Sequence, residues 1–160
     1  MSNLKARAST RVSKNVHMRH RTVFDRETLV IEKRKNIFKL ETRDVWEAAC
    51  AAGRYDGSDH DRRDGFIHFS TAEQLLETAR KHFSGRTGLF LIAVRVDALG
   101  VALRWEPSRG GALFPHLYAP LQTGSALWSE PVDLDAAGIP DVLSVLRMKD
   151  VKVATQDPDR

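Results

Sequence analysis

The sequence contains a single cysteine, Cys50, and no long run of apolar residues in its 160 positions. One thiol cannot form an internal disulfide, which excludes the class of small disulfide-stapled secreted domains. A membrane-spanning helix needs roughly 18 or more apolar residues in succession, and no window of the sequence supplies them. Nor do residues 1–36 contain the apolar stretch of roughly 7–15 residues on which a secretory signal depends. These absences predict a cytoplasmic protein. Cys50 lies in a predicted helix among alanines, which predicts that it is a small core residue.

Acidic residues are scarce only at the beginning of the chain. The formal charge is +4, from 25 Lys and Arg against 21 Asp and Glu. Residues 1–36 carry ten basic and three acidic side chains, a net of +7, whereas residues 37–160 carry fifteen and eighteen, a net of −3. The basic character therefore belongs to the first segment. A basic arm of this kind can bind nucleic acid through counterion release, without reading its sequence.

The composition divides the chain into three predicted parts. We expect residues 1–36 to be a disordered basic leader, because so polar a segment buries too little apolar surface to offset its ordering entropy. Residues 37–152 are predicted to form a single domain, and residues 153–160 a tail. Three interpretations of the leader stay open: a start codon assigned too far upstream, a functional basic arm, or a targeting segment that resembles a transit peptide. Within it, residues 28–35 favour one helical turn or a short strand.

Hydrophobic periodicity predicts strands in the body of the chain. The segment 89–96 is almost entirely apolar, as expected for a strand at the centre of a sheet. Pro131 lies inside another predicted strand and indicates an edge or a bulge there. The predicted strands are residues 37–40, 65–69, 89–96, 102–106 and 126–134.

Capping and turn residues predict the helices. One helix begins after Thr42 or Asp44 and ends at Gly53, which is suited to a left-handed C-terminal position. Residues 70–73 have the spacing of a capping box and open a helix of roughly twelve residues. Pro140 fits the first turn of a short C-terminal helix.

Two polar segments, residues 54–64 and 107–124, are predicted to be loops. Strands mixed with helices, without strict alternation, indicate the α+β class. A loop as long as residues 107–124 is unusual in so small a domain, and such loops often carry function.

Two clusters of polar residues follow predicted strands. His68 comes two residues before a helix start at Ser70, where free N–H groups favour an anion. Glu106 ends another strand, and Arg109 before two glycines can place a guanidinium on a phosphate. Each pattern has a structural alternative: His68 bonded to a backbone carbonyl, and Glu106 paired with Arg109 on the surface.

The segment Phe114–Pro120 combines aromatic residues with two prolines that restrict the backbone. Tyr118 could stack on a planar ligand, and His116 could bind a ligand or transfer a proton. The same residues could instead pack onto the core as a lid.

Metal binding finds little local support in the sequence. The acidic residues of segment 54–64 resemble a calcium loop only loosely and favour a solvated loop. His68, His116 and Glu106 could form a facial triad, but no HxH or HExxH spacing supports it, and we assign no metal ligands. The acidic residues in question are Asp56, Asp59, Asp61 and Asp64.

The order and spacing of several motifs resemble a bacterial family called domain of unknown function 952. The resemblance covers roughly residues 37–135, so the leader lies outside it. The motifs DGFIHFS and FPHLY are its most specific parts. The matching segments are residues 37–40, Trp46, Tyr55, residues 64–70, Arg104–Glu106 and residues 114–118.

The resemblance implies a small ADP-ribosylation-like fold, with two small packed sheets flanked by two or three helices. The related superfamily, which includes ADP-ribosyltransferases and RNA 2′-phosphotransferases, holds NAD between its sheets. His68 with Ser70 matches its ribose-binding motif. Tyr118 is the candidate for stacking on nicotinamide, and Glu106 is the candidate for the catalytic acid. Glu106 precedes Tyr118 in this sequence, whereas in the superfamily the aromatic residue usually precedes the acid.

The implied function is a transferase or hydrolase acting on NAD or a related phosphorylated nucleotide. Glu106 and His116 are the catalytic candidates, the first as a stabiliser of positive charge and the second as an acid or base. Arg109 would neutralise the pyrophosphate. Arg54 and Arg104 are further candidates for the arginines that the phosphotransferase branch uses. The alternatives are a non-catalytic nucleotide-binding module and a nucleic-acid-binding protein that uses the leader.

Overall fold

The computed structural model describes residues 35–108 and 110–151 of the chain. The predictions for the leader up to residue 34, for the tail and for Arg109 therefore lie outside the described residues. None of the helices within these two ranges is long and apolar enough to cross a membrane.

A three-stranded antiparallel sheet organises the described residues. Its strands are β1 (Asn36–Thr42), β4 (Leu89–Arg95) and β8 (Ala126–Val132), and β4 lies between the other two. The apolar segment predicted to be central is therefore central. The strand that contains Pro131 lies at the edge, as predicted, and its pairing with β4 shifts register between Ala93 and Val94.

Both faces of this sheet are buried. Two helices, α3 (Ala72–Phe83) and α4 (Val142–Met148), pack on one face. Leu40 and Leu91 lie in the hydrophobic core on this face, which we call the first core. The opposite face carries a second core that includes Trp46 of helix α1 (Arg43–Ala52). The first core also contains Phe38, Leu75, Ala79, Leu89, Val132, Val142 and Leu146, and the second Ile37, Tyr55, Ile67, Phe69, Ile92, Val94, Leu117 and Leu121.

A second antiparallel sheet covers the second core. It consists of β3 (Ile67–His68), β6 (Leu113–Leu117) and β5 (Leu103–Pro107), in the order β3-β6-β5. A third sheet pairs β2 (Arg54–Tyr55) with β7 (Leu121–Gln122).

The prediction of one long loop over residues 107–124 is wrong, because β6 and β7 lie within it. Pro115 made a strand there improbable, since proline lacks the N–H that a sheet ladder uses. Pro115 lies opposite Trp105 in the pairing of β6 with β5, whereas the pairing of β6 with β3 covers only Leu117 and His116 and stops before Pro115.

The prediction of a loop over residues 54–64 is also wrong. It contains β2 and the six-residue helix α2 (Asp59–Asp64), which is too short to show apolar periodicity. Ser58 and Asp61 form a reciprocal capping box at the start of this helix. The described residues thus contain four α-helices and three sheets, against the two or three helices and two sheets expected.

The other helices begin and end near the predicted residues, except that Pro140 precedes the N-cap Asp141 of α4 and does not lie in its first turn as predicted. Helix α1 (Arg43–Ala52) ends at Gly53, whose φ of 74° is left-handed as expected. Helix α3 has the predicted twelve residues, but its capping box pairs Thr71 with Gln74 and not Ser70 with Glu73. Cys50 is exposed on α1, so the prediction that it is a core residue is wrong.

Candidate active site

The pairing of β3 with β6 places two histidines side by side. His68 lies directly opposite His116 in the register of the two strands. Side chains of directly opposed strand residues share one face of the sheet. Their imidazole centroids are 5.3 Å apart, with the rings close to perpendicular. The two motifs singled out in the sequence therefore meet at one place.

A carboxylate orients the ring of His116. Oε2 of Glu106 lies 2.8 Å from Nδ1 of His116 and accepts a hydrogen bond of 2.9 Å from the hydroxyl of Tyr118. The hydrogen bond from His116, and to a smaller extent the one from Tyr118, holds the pKa of Glu106 below its usual value. The bond to Glu106 raises the pKa of Tyr118.

The ionised state of Glu106 determines which tautomer His116 adopts. An ionised carboxylate only accepts hydrogen bonds, so Nδ1 of His116 carries the proton. The lone pair of a neutral His116 ring is then on Nε2, which has no hydrogen-bond partner within residues 35–108 and 110–151. A carboxylate and histidine arranged in this way can accept a proton at Nε2.

A second carboxylate orients His68 in the same manner. Oδ1 of Asp61 lies 2.7 Å from Nδ1 of His68. The same oxygen accepts a hydrogen bond of 3.0 Å from the backbone N–H of His68. Nε2 of His68 is 3.2 Å from Oδ2 of Asp64. The side chain of His68 is 30% exposed, against 10% for His116, so His68 is the more accessible of the pair.

Asp61 is the centre of a buried polar network. Its Oδ2 lies 2.6 Å from Nζ of Lys39 and accepts hydrogen bonds from the hydroxyl of Tyr55 at 3.2 Å and from the backbone of Ser58 at 2.8 Å. The Tyr55 hydroxyl also donates to Glu41. Lys39, Glu41, Tyr55 and Asp61 are all buried.

The network changes the acidity of its members in opposite directions. Burial by itself would raise the pKa of Asp61, but hydrogen bonds from His68 and the charge of Lys39 outweigh it and hold that pKa far below its usual value. Burial and the neighbouring Glu41 carboxylate raise the pKa of Tyr55 well above its usual range. Tyr55 therefore stays a hydrogen-bond donor, and Asp61 stays an acceptor.

Aromatic rings surround the two histidines. The ring of Phe66 lies 4.2 Å from that of His116, 4.6 Å from that of His68 and 5.2 Å from that of Tyr118, between centroids. The guanidinium of Arg104 lies 4.4 Å from the centroid of the Tyr118 ring. A planar ligand that stacks on this face of Tyr118 would therefore have to displace Arg104.

An open cavity of about 250 Å³ lies next to this cluster, and neither the two histidines nor Glu106 line it. Phe66, Tyr118 and Asp61 contribute to its lining, together with Arg62 and Pro120. The volume is slightly below the usual range for small-molecule sites, roughly 300–1,000 Å³.

The structure brings together four of the site residues predicted from the sequence: Glu106, His116, His68 and Tyr118. Ser70 is buried, and its hydroxyl lies 2.9 Å from that of Thr78 on α3. The Arg54 side chain is exposed and lies 2.7 Å from Asp56, and it forms no hydrogen bond with either histidine.

Sequence reasoning missed Lys39, Asp61, Asp64 and Phe66 as parts of the site. Asp61 had one local signal, its spacing of three residues from Ser58, which is typical of a helix N-terminus. Lys39 had none, because a lysine on a predicted strand is ordinarily exposed to solvent.

The sequence profile of the family described as "Protein of unknown function (DUF952)" matches residues 40–129. The chain belongs to the DUF952 family. The resemblance noted in the sequence is thereby confirmed at the level of the family. No curated protein matches the sequence.

Solved structures of protein CC0527 from Caulobacter crescentus are similar to this DUF952 chain. The crystal structure is 48% identical, with a TM-score of 0.68, and the match covers 70% of this chain and 98% of that one. The solution NMR structure is also 48% identical, with a TM-score of 0.65, and covers 71% and 97% respectively. A crystal structure of a double mutant of the same protein gives a TM-score of 0.68 at 47% identity, with 70% and 98% coverage.

Proposed function

We propose that this DUF952 protein is a transferase or hydrolase that acts on NAD or a related phosphorylated nucleotide. The observation that carries the proposal is the pair of facing histidines, each with a carboxylate within 2.8 Å of its Nδ1. Perturbed carboxylates next to histidines, beside a cavity, are typical of acid–base sites. In this proposal Glu106 and His116 are the catalytic pair, and His68 binds the ligand.

The proton transfer follows from the tautomer of His116. When a hydroxyl of water or of an acceptor attacks C1′ of the nicotinamide ribose, a new C–O bond forms as the C–N bond breaks. The electron pair of that bond leaves with neutral nicotinamide, and the hydroxyl proton passes to Nε2 of His116. Glu106, held 2.8 Å from Nδ1, stabilises the imidazolium and the positive charge of the oxocarbenium-like ring.

Groups around the histidines support binding of a nucleotide. Phe66 and Tyr118 supply apolar ring surface, and Arg104 supplies a positive charge beside Tyr118. Arg109 is proposed as a further phosphate contact from the sequence alone. The resemblance to ADP-ribosyltransferases, in which a strand histidine contacts the ribose, adds a reason to assign binding to His68.

The test measures binding and turnover on the same protein. We expect millimolar NAD or ADP-ribose to raise the melting temperature of the full chain, and nicotinamide to be released from NAD. Glu106→Gln should keep the thermal shift while turnover falls roughly 10²–10⁴-fold, the usual contribution of acid–base catalysis. Glu47→Gln, on the exposed surface of α1, is the matched control and should retain both.

Two results would overturn this function. If no nucleotide changes the melting temperature, the phosphorylated nucleotide is the wrong substrate class. If a nucleotide stabilises the wild type and His68→Ala weakens that effect, yet no product forms, the protein is a binding module and not an enzyme.

A further inference from the structure

Three potential metal ligands converge next to the proposed catalytic pair. His60 and Asp64 are four residues apart on helix α2 and therefore lie on the same side of it. His68 follows on β3. Nε2 of His60 is 3.7 Å from Oδ2 of Asp64, which is 3.2 Å from Nε2 of His68. One ligand atom from each residue lies within 4.8 Å of the other two.

We propose that His60, Asp64 and His68 bind a divalent transition-metal ion and that zinc fits the site best. Bonds of about 2.0–2.2 Å from zinc to nitrogen and oxygen place the ligand atoms of a tetrahedral site about 3.4 Å apart. The separations of 3.2 Å and 3.7 Å bracket that value. Two imidazoles and one carboxylate suit zinc, whereas magnesium and calcium prefer oxygen ligands alone.

The carboxylate of Asp61 gives independent support. Metal-binding histidines usually donate their second ring N–H to a carboxylate or a carbonyl, which fixes the tautomer and aims the other nitrogen at the metal. Asp61 accepts this bond from Nδ1 of His68 at 2.7 Å, and its own position is fixed by Lys39 at 2.6 Å. Nε2 of His68 is thereby held in place beside Asp64.

The rings of His60 and His68 are stacked, with centroids 4.7 Å apart and planes that differ by 11°. The side chains of His60, Asp64 and His68 are 61%, 38% and 30% exposed, which lets an ion enter from solvent. A fourth coordination position then remains for water or for an anionic oxygen of a ligand, as in catalytic zinc sites.

This proposal rests on the three ligand atoms and the Asp61 contact, and it does not depend on a nucleotide substrate. With Nδ1 bonded to Asp61 and Nε2 bonded to the metal, His68 would contact a ligand through the ion and not directly. The proposed roles of His116 and Glu106 are unchanged, because neither is a ligand in this arrangement.

The test is zinc binding by the full chain, after treatment with a chelator, measured by isothermal titration calorimetry without nucleotide. We expect one zinc ion per chain. His60→Ala and Asp64→Ala, both changes of exposed side chains, should each weaken the affinity roughly tenfold or more. Asp59→Ala on the same helix is the matched control and should bind zinc as the wild type does. Replacing zinc by cobalt should give the absorption spectrum of a tetrahedral site.

The zinc-binding test can fail without contradicting the proposed function. Failure of the wild type to bind zinc, or equal affinity in His60→Ala and the wild type, would overturn the metal site and leave nucleotide turnover unaffected. If Glu106→Gln abolished zinc binding, the ion would belong to a different set made by Glu106 and the facing histidines, and the proposal would be wrong. Circular dichroism of the metal-free variants confirms that each one is folded.

Discussion

The ammonium group of Lys39 lies 2.6 Å from the carboxylate of Asp61, and the two side chains are only 9% and 1% exposed. A buried ion pair is costly to break, because the remaining charge keeps its desolvation penalty without its partner. The same carboxylate holds the imidazole of His68. The stability of the domain and the geometry of the candidate site therefore depend on one side chain.

The first prediction concerns the loss of this charge. Asp61→Asn should lower the free energy of unfolding by about 3 kcal/mol, since Lys39 is then buried without a counter-ion. Urea denaturation measures the change. The double variant Asp61→Asn, Lys39→Met should recover part of the loss. Asp64→Asn, on the exposed end of α2, is the control and should change stability by less than about 0.5 kcal/mol. Equal losses at the two positions would contradict the importance of burial.

The second prediction concerns pH. The pKa of Asp61 is lowered on folding, so at pH below about 4 the unfolded chain takes up a proton that the folded chain does not. The stabilisation by Asp61 is therefore complete at neutral pH and declines as the pH falls from about 4 toward the lowered pKa. We expect the difference in unfolding free energy between the wild type and Asp61→Asn to shrink between pH 6 and pH 2.5. Urea denaturation of both proteins over that range measures it, and a constant difference would contradict the assignment.

The third prediction compares the two tyrosines of the chain. Tyr55 is 1% exposed and donates to two buried carboxylates, whereas Tyr118 is 40% exposed and bonds Glu106. Tyr55→Phe should cost about 1–3 kcal/mol of stability, because Glu41 and Asp61 each lose a donor. Tyr118→Phe is the matched control and should cost about 0.5 kcal/mol or less. Thermal and urea denaturation of the pair would show whether the order holds.

The fourth prediction tests the close approach of Gly57 to helix α2. Gly57 has a φ of 91°, and a Cβ there would lie 2.7 Å from the Cβ of Asp61, which cannot swing aside. Gly65 has a similar φ of 84° with open space around it. Gly65→Ala should therefore show only the backbone penalty of about 1 kcal/mol, and Gly57→Ala should lose at least about 1 kcal/mol more. Similar losses in the two variants would show that α2 shifts to make room.

The sequence predicted those parts of the fold whose signal is local. The continuous apolar run of β4 indicated a central strand, because such a strand is covered on both faces. The twelve-residue helix α3 followed from its apolar spacing and its polar start. The grouping of His68, His116 and Glu106 was predicted too, but by the family resemblance and not by any periodicity.

The polar interior of the site could not be read from the sequence. Lysine and glutamate are mostly exposed in proteins, yet Lys39 and Glu41 are buried because α1, β2 and β3 cover that face of the sheet. Asp61 belongs to a six-residue helix without an apolar stripe, and its partners lie 22, 6 and 7 residues away in the sequence. Only the folded chain reveals that these charges neutralise one another.

Helix α2 contributes a single buried residue, Asp61, and is otherwise in contact with solvent. Segments with so little burial open locally at a much lower free energy than the protein as a whole. Hydrogen exchange of the α2 amides should therefore be faster than that of β4, and each opening releases the imidazole of His68. Such an opening would break the buried pair of Asp61 with Lys39 and separate His68 from Asp61, while both hydrophobic cores stay intact.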